Sequence, residues 1–409
     1  MRRFLLICLG VGLFTAACGG AADTSPDAES DAQPEAGAAE PAAAPASSPD
    51  DPQEPADPSE LTSSPEAGEP AADPAPGGPT ESGREILITD ADEAKAILQA
   101  RGVFTDEWNT DFTRHTVPFE EILSGGPLRD QIPPLDNPNF ETTAEAGQYL
   151  EAREPVVQLV VGDDARAYPL RVMIWHEIVN DEVGAQPISV TFCPLCNTSI
   201  AFDRRLDDMV LSFGTSGTLR NSDLVMWDRQ TESWWQQFGG EGIIGELAGR
   251  KLTQVPASIV AWEDFVAGHP DGQVLSQDTG FDRAYGQNPY TGYDTVDQPP
   301  FFPADNLDDN RLPPKARVVF LERGGDAVAI PFSALAEAGT IEFSAGGETF
   351  VAEWLAGARS ALGDASIADA DEVGSATVTV AATGETATFD TPFWFAVAAF
   401  RPDAAVISG

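Results

Sequence analysis

The stretch that decides the fold is ISVTFCPLCNTSIAFD, residues 188–203. Its flanks are rich in Val, Ile, Phe and Thr, which is typical of strands, and a short turn separates them. Cys193 and Cys196 stand on that turn with two residues between them. The stretch therefore predicts a β-hairpin whose turn directs two sulfur atoms to one side of a tight loop.

Short apolar runs like these flanks recur along the chain, separated by Gly and Pro. Further strand-like runs are EPVVQLVV (154–161), MVLSF (209–213), LVMWD (224–228) and RVVFLE (317–322). Helical patterns are fewer and occur in TDADEAKAILQA (89–100), LRVMIWHEIVND (170–181) and SIVAWEDFVAGHP (258–270). We therefore expect a β-rich α+β fold, with mostly antiparallel strands and a few short helices.

Two segments of the chain show internal similarity. VVQLVVGDDARAYPLRVM (156–173) aligns with RVVFLERGGDAVAIPFSAL (317–335), and the 188–203 stretch aligns with ATVTVAATGETATFD (376–390). The matches predict a tandem duplication with copies at about 150–300 and 301–409. Chance similarity between β-hairpins is the alternative. The second copy lacks Cys and His at the aligned positions, so any chemistry is expected in the first copy.

The N-terminal segments predict export and an anchor. Residues 1–18, MRRFLLICLGVGLFTAAC, have two arginines, an apolar run and small residues before a cysteine, which is typical of a secretory signal. TAAC resembles a bacterial lipobox, so we expect lipid on Cys18 to bind a membrane of the cell envelope, with the body facing the periplasm or the exterior. Ordinary secretion is the alternative. Residues 19–83 predict a disordered acidic Ala/Pro-rich tether, and 84–409 a globular body.

Charge narrows the range of partners. The chain has 66 acidic and 23 basic residues, and its net charge is −43. Fifteen acidic residues lie in 19–83, which leaves 51 acidic and 21 basic residues in the body. So negative a surface argues against binding to nucleic acid or anionic lipid. It suits a salty environment or the attraction of cations.

Once the signal is removed and Cys18 is lipidated, Cys193 and Cys196 are the remaining free cysteines. A closed four-cysteine metal site within one chain is thereby excluded. A site of these two cysteines and His176 stays open, and such sulfur and nitrogen ligands suit zinc or copper. The alternatives are a disulfide between Cys193 and Cys196 in an oxidising compartment, and a reactive thiol.

His176 lies in MIWHEIVND (173–181). If this segment is helical, Met173, His176 and Asn180 share one face and Glu177 lies on the adjoining one. The metalloprotease pattern H-E-x-x-H is not met, because Asn180 stands where the second His would be. His176 is expected to act as a metal ligand or general base, or else as a core histidine with both nitrogens hydrogen-bonded.

The stretch GTSGTLRNSDLVMWDRQTESWWQQF (214–238) combines polar side chains with tryptophans. It predicts two strands around DRQT and a polar, Trp-rich floor of a small-molecule pocket. The alternative is a twisted hairpin whose tryptophans belong to the core and whose charged residues hold a turn. The loop NPYTGYD (288–294) is expected at the mouth of such a pocket.

IPPLDNPNF, YPLRVMIWHEIVND, VTFCPLCNTSIAFDR, SGTLRNSDLVMWDRQTESWWQQ and FWFAVAAFRPD together resemble the secreted bacterial and archaeal proteins described as domain of unknown function 3179. The resemblance runs from about Val103 to the C-terminus and brings no settled activity. Asn197 stands where Gly is common in the family. The resemblance implies a shared site at the matching positions, which are His176, Glu177, Asn180, Cys193, Cys196, Asn221, Asp223, Asp228, Arg229, Glu232 and Trp235.

These observations lead to the hypothesis of an envelope-anchored protein with a metal or small-ligand site at Cys193, Cys196 and His176. The expected supporting polar shell consists of Asp228, Arg229 and Glu232. One alternative is a redox or hydrolytic enzyme that uses Cys193 as nucleophile or His176 as base. Another is a structural surface module with a disulfide between the two cysteines. The sequence names neither the metal nor a substrate nor a protein partner.

Overall fold

The computed structural model describes residues 82–408, so the predicted signal, the lipidated Cys18 and nearly all of the predicted tether lie outside the described residues. Within 82–408 the chain forms 25 β-strands, six α-helices and two short 3-10 helices. No helix in this range has the length and apolar character needed to cross a bilayer. The predicted β-rich fold with a few short helices is confirmed.

The elements follow one another closely along the chain. Up to the CPLC hairpin the strands are β1 (Leu87–Ile88), β2 (Arg114–His115), β3 (Ile122–Ser124), β4 (Leu135–Asp136), β5 (Phe140–Thr142), β6 (Pro155–Val161), β7 (Asp164–Pro169), β8 (Ile178–Val183), β9 (Gln186–Cys193) and β10 (Thr198–Asp203). The later strands are β11 (Arg205–Leu206), β12 (Met209–Val210), β13 (Phe213–Arg220), β14 (Asp223–Asp228), β15 (Trp234–Gln236), β16 (Glu241–Ile244), β17 (Gln254–Val255), β18 (Ala257–Ala261), β19 (Gln273–Leu275), β20 (Val318–Arg323), β21 (Asp326–Pro331), β22 (Thr340–Ala345), β23 (Glu348–Leu355), β24 (Ser375–Val380) and β25 (Ala405–Val406). The α-helices are α1 (Ala91–Ala100), α2 (Thr143–Ala146), α3 (Leu170–His176), α4 (Trp262–Gly268), α5 (Phe332–Ala338) and α6 (Trp394–Phe400), and the 3-10 helices are Phe119–Glu121 and Ile367–Asp369.

The strands form six sheets, and most neighbouring strands are antiparallel, as predicted. Among the described residues the parallel pairs are β4 with β8, β7 with β19 and β21 with β25. The strand orders are β1-β2-β16-β15-β14-β13-β3, β17-β10-β9-β8-β4, β18-β6-β7-β19-β5, β20-β21-β25, β22-β23-β24 and β11-β12.

The CPLC hairpin lies inside the second of these sheets. β9 pairs with β10 so that Cys193 is opposite Thr198, and β8 pairs with the other edge of β9. The predicted hairpin is therefore confirmed. Phe192 and Phe202 of the hairpin are fully buried in the largest hydrophobic core, together with Trp235 from the seven-stranded sheet. Such large buried aromatic side chains anchor the hairpin, so its turn has a fixed position.

Residues 170–181, predicted as one helix or helical turn, form a helix followed by a strand. The helix α3 ends at His176 because Glu177 adopts a left-handed conformation with a φ of 59°, which stops α-helical hydrogen bonding. The β-branched residues that follow pair as β8 with β9. The prediction that Met173, His176 and Asn180 share a helical face is therefore wrong for Asn180, which lies on the strand.

The other two predicted helices are present, one of them shortened. Asp90 caps α1, because its carboxylate accepts from the backbone N–H groups of Asp92 and Glu93. The segment 258–270 becomes helical only at Trp262, because the preceding residues pair as β18 with β6.

Two regions of the chain repeat one order of elements. β6, β7, α3, β8 and β9 are followed by β20, β21, α5, β22 and β23, and the two helices each have seven residues and begin after a proline, Pro169 and Pro331. The hairpin contact of Gly184 N–H with Asp164 Oδ2, 3.0 Å, recurs 162 residues later between Gly346 and Asp326, 2.9 Å. The duplication itself stays a prediction.

The repeated order changes one of the sequence alignments. β10 pairs with β9 opposite Cys193, and β24 pairs with β23 opposite Leu355. The counterpart of the CPLC turn is therefore the long connection 356–374, whereas the sequence alignment placed TGET there. A short apolar strand, ATVTV, carries too little pattern to distinguish β23 from its neighbour β24.

Candidate functional site at the CPLC turn

Three side chains with metal-binding atoms meet at the CPLC turn. The sulfur atoms of Cys193 and Cys196 and a carboxylate oxygen of Asp223 all lie within 4.8 Å of one another. In the part of the chain that the structure describes, this is the one group of three His, Cys, Asp or Glu side chains with that spacing. Cys193 is 2% exposed, and Cys196 and Asp223 are fully buried. We call these three residues the CCD cluster.

Two hairpins position the CCD cluster. Cys193 ends β9 and Cys196 belongs to the following turn, which Asn197 closes with a φ of 57°. Asp223 begins β14 directly after the tight turn at Asn221 and Ser222, whose φ values are 54° and 56°. Two consecutive left-handed residues are typical of a two-residue hairpin. Asp223 thus reaches the cysteines from a second sheet.

Hydrogen bonds fix the carboxylate of Asp223. The Cys196 thiol donates to Asp223 Oδ1 over 2.8 Å. Asp223 Oδ2 accepts from the backbone N–H of Phe238 over 2.9 Å and from the side-chain amide of Gln236. Burial without a hydrogen bond would be costly for a carboxylate, so these donors make its position tolerable. The side chain is oriented before any ligand arrives.

A second chain of hydrogen bonds supports Cys196. Its sulfur contacts Thr198 Oγ1 at 2.9 Å, and that hydroxyl donates to Gln237 Oε1 over 2.6 Å. Gln237 Nε2 in turn donates to Thr191 Oγ1 over 2.9 Å. These groups are buried, and a fully satisfied buried network restricts its members to one geometry. The network therefore holds the sulfur in place.

The cluster is acidic and carries no compensating charge. Burial raises the pKa of Asp223 to about 6 and raises the pKa of the Cys193 thiol, and it raises the Cys196 pKa well above its ordinary value. Burial and the charge of Asp223 raise the pKa of Glu177 to about 8. Among the described residues no cation contributes to the Glu177 shift. Without a bound cation, these groups therefore hold protons at neutral pH.

Residues from the second repeat unit and the NPYTGYD loop cover the turn. The Tyr293 hydroxyl donates to the Leu195 carbonyl, and the Phe393 N–H donates to the Cys196 carbonyl, each over 2.8 Å. The Asn197 side-chain amide donates to the Thr391 carbonyl over 2.8 Å. Tyr290 also lies near, since Glu177 and Cys193 both raise its pKa. The loop predicted at a pocket mouth thus contacts the cysteine turn.

His176 is buried and hydrogen-bonded through both ring nitrogens. Nδ1 lies 2.7 Å from the Pro133 carbonyl, and Nε2 lies 2.7 Å from the Tyr285 hydroxyl. A carbonyl only accepts, so Nδ1 carries the proton and Nε2 accepts from Tyr285. Burial lowers the His176 pKa to about 4. Its free lone pair is engaged, and it is not part of the CCD cluster. The structure places Asp223 where the sequence suggested His176.

The three residues of the expected polar shell contact other parts of the chain. Asp228 is a turn residue that accepts from Gln230 N, Thr231 N and Trp235 Nε1. Arg229 forms an ion pair with Asp136 at 3.1 Å. These contacts fit the alternative reading, in which charged residues hold the hairpin around DRQT.

The remaining predicted positions also contact neighbours outside the CCD cluster. Glu232 accepts from the Asn109 N–H over 2.7 Å. Asn180 donates to Asp136 Oδ1 over 2.8 Å. Asn221 accepts from the Asp305 N–H over 3.0 Å. Of the positions implied by the family resemblance, Cys193, Cys196, Asp223 and Glu177 are those brought together at the turn.

Sequence reasoning missed Asp390, which is 8% exposed next to the hairpin. Its Oδ1 accepts from the Ser199 N–H over 3.0 Å and from the Thr391 N–H over 2.7 Å. Burial raises its pKa to about 7, and the charge of Asp223 adds to the shift. Nearly 190 residues separate Asp390 from Ser199, and no local pattern in the sequence signals such a contact.

The fold and site define a class of protein: a β-rich α+β chain in which two hairpins bring a cysteine pair and a carboxylate into one buried cluster. The chain belongs to the family described as "Protein of unknown function (DUF3179)", whose model matches residues 129–404. The match confirms the family resemblance and includes the whole CCD cluster. No curated protein and no solved structure shows significant similarity to the chain.

Proposed function

We propose that the protein binds a metal ion through Cys193, Cys196 and Asp223. The observation that carries this proposal is the spacing of the CCD cluster, with three ligand atoms within 4.8 Å of one another in a buried site. In a tetrahedral zinc site, Zn–S and Zn–O lengths of about 2.0–2.3 Å place neighbouring ligand atoms roughly 3.5–3.8 Å apart. A bound cation would also stabilise the anionic forms of groups that burial otherwise keeps protonated.

The ligand set favours zinc over copper. Two thiolates alone suit both zinc and cuprous copper, whereas a carboxylate oxygen is a harder ligand. Zinc is of intermediate softness and accepts sulfur and oxygen together. Asp223 therefore shifts the preference to Zn²⁺, within the pair of metals that the sequence suggested.

The reactive-thiol alternative has less support. A nucleophilic cysteine needs a lowered pKa, given by a neighbouring cation or a helix N-terminus. Here burial and nearby carboxylates raise the pKa of both thiols. Both cysteines are free and buried, and no such cation contributes to the Glu177 carboxyl beside them. A disulfide between them stays an alternative that the experiment below distinguishes.

Metal analysis of the protein purified from the envelope under reducing conditions tests the proposal. We expect about one zinc per chain, removable by a strong chelator and restored by added Zn²⁺. The matched control is the double variant Cys193→Ser/Cys196→Ser, which should contain none. A wild-type chain that stays metal-free and takes up neither zinc nor copper would contradict the proposal. A mass two protons below that of the reduced chain would identify a disulfide instead.

We infer that the site works at the cell envelope, held there by lipid on Cys18. The support is the signal-like segment 1–18 and the acidic tether that follows it. Cell fractionation checks the inference: the wild-type chain should sediment with membranes, and Cys18→Ala should appear in a soluble fraction. A wild-type chain found wholly in the medium would instead indicate ordinary secretion.

A further inference from the structure

Glu177 occupies a backbone position that favours glycine. It ends α3 in a left-handed conformation, φ 59° and ψ −28°, and its N–H donates to the Met173 carbonyl over 2.7 Å. Residues with a Cβ atom rarely adopt this conformation, which is why glycine is the usual residue at helix C-termini of this kind. Something other than backbone geometry must therefore account for a glutamate here.

The second repeat unit shows what the backbone alone requires. α5 ends at Gly339, φ 73°, whose N–H donates to the Leu335 carbonyl over 2.8 Å. The carbonyl of Glu177 accepts from Phe192 N at 2.8 Å, and that of Gly339 accepts from Trp354 N at 2.9 Å. The two turns make the same backbone hydrogen bonds. A side chain added at Gly339 would meet no atom within 4 Å, so glycine stands there for its conformation alone.

The Glu177 side chain is directed into the protein. The residue is 6% exposed, and among the described residues no hydrogen bond reaches its carboxyl group. Its backbone pairs with Phe192, the residue before Cys193. Its charge also acts on Cys193, Tyr290 and Asp223. A buried carboxyl without a partner is unfavourable unless a ligand satisfies it.

We propose that Glu177 is the fourth ligand of the metal, completing a site of two cysteines and two carboxylates. The inference rests on the proposed metal binding by the CCD cluster. Glu177 lies outside the 4.8 Å group, so its side chain moves toward the cysteines when the ion binds. Four protein ligands make a closed tetrahedral site, which is typical of zinc held for structure or storage.

The variant Glu177→Gly tests the inference, because it gives the first unit the residue that the second unit has. We expect the metal-free variant to fold with an unchanged or higher thermal midpoint, since glycine relieves the left-handed conformation. Its Zn²⁺ affinity, measured by chelator competition, should fall at least about tenfold. The matched control is Ala185→Gly, at an exposed turn with φ 61°. This control relieves the same conformation and should keep wild-type affinity.

Each outcome separates the two proposals. If wild-type protein binds no metal, the proposed function fails. If wild type and Glu177→Gly bind Zn²⁺ equally, metal binding stands and the fourth ligand is overturned. If Glu177→Gly does not fold, Glu177→Gln decides, because it keeps the shape of the side chain and removes the anionic ligand. Wild-type affinity in Glu177→Gln would likewise overturn the role of Glu177.

Discussion

Asp223→Asn yields a protein that folds but no longer retains zinc. The carboxylate is the one oxygen ligand in the CCD cluster, and an amide is a far weaker ligand for Zn²⁺. We expect the dissociation constant for Zn²⁺ to rise about a thousandfold or more, which corresponds to about 4 kcal/mol. The metal-free variant should stay folded, because Asn keeps the shape of the side chain and removes a buried group that burial keeps from ionising.

The measurement is chelator competition on wild type and variant, with circular dichroism to establish folding. Asp203→Asn is the matched control, since Asp203 lies at the outer end of the same hairpin and pairs with Arg205 at 2.6 Å. The control should keep wild-type affinity. Retention of one tightly bound zinc by Asp223→Asn would show that Asp223 is not a ligand.

The part of this site that is local in sequence could be predicted from sequence. The strand pattern around the CPLC turn predicts the hairpin, and the spacing of Cys193 and Cys196 predicts two sulfur atoms on one side of it. The paired strands around DRQT follow from the same kind of pattern, and the structure confirms them as β14 and β15. Period-two patterns and turn residues act over few residues, so they are visible in the chain itself.

The third member of the cluster was not predictable in this way. Asp223 reaches Cys196 only because two sheets pack together, and 27 residues of chain separate them. His176 looked the better ligand because imidazole is a common metal ligand. Its nitrogens are instead engaged by Pro133 and Tyr285. Tertiary contacts of this kind have no local signature in one sequence.

The helix predicted over 170–181 fails for a related reason. Its apolar spacing fits a helix, but the left-handed conformation of Glu177 ends α3, and the strand that follows is stabilised by pairing with β9. Sheet pairing overrides helical periodicity when the partner strand is already buried. The same glutamate that misleads the pattern is the residue we infer to be the fourth ligand. Departures from local preference are expected at functional positions.

Asp390 supplies the second large effect, on stability as a function of pH. One oxygen accepts two backbone N–H groups, and the other is buried without a hydrogen-bond partner among the described residues. The group lies beside a small cavity lined by Phe238 and Phe320. Burial raises its pKa to about 7, from about 3.9 in an unfolded chain. The folded state therefore binds a proton that the unfolded state releases between about pH 4 and 7.

A carboxyl whose pKa is raised by folding stabilises the protein most at acidic pH, and this stability is lost as pH rises through the folded pKa. For Asp390 the loss is about 1.4 kcal/mol per pH unit between about pH 4 and 7, or about 4 kcal/mol in all. Asp390→Asn cannot ionise, so this part of the slope should be absent from the variant. Other buried acids contribute equally to both proteins, so the difference between the two curves isolates Asp390.

Reversible urea unfolding of the metal-free chains from pH 4.5 to 8 measures this difference. We expect Asp390→Asn to gain stability relative to wild type as pH rises to about 7, with a constant difference above that. Asp203→Asn serves as control, because hydrogen bonds from Arg205 lower the Asp203 pKa. A lowered pKa affects stability only at lower pH, so its difference from wild type should be constant over this range. Parallel curves for wild type and Asp390→Asn would show that Asp390 ionises as freely in the folded chain as in the unfolded one.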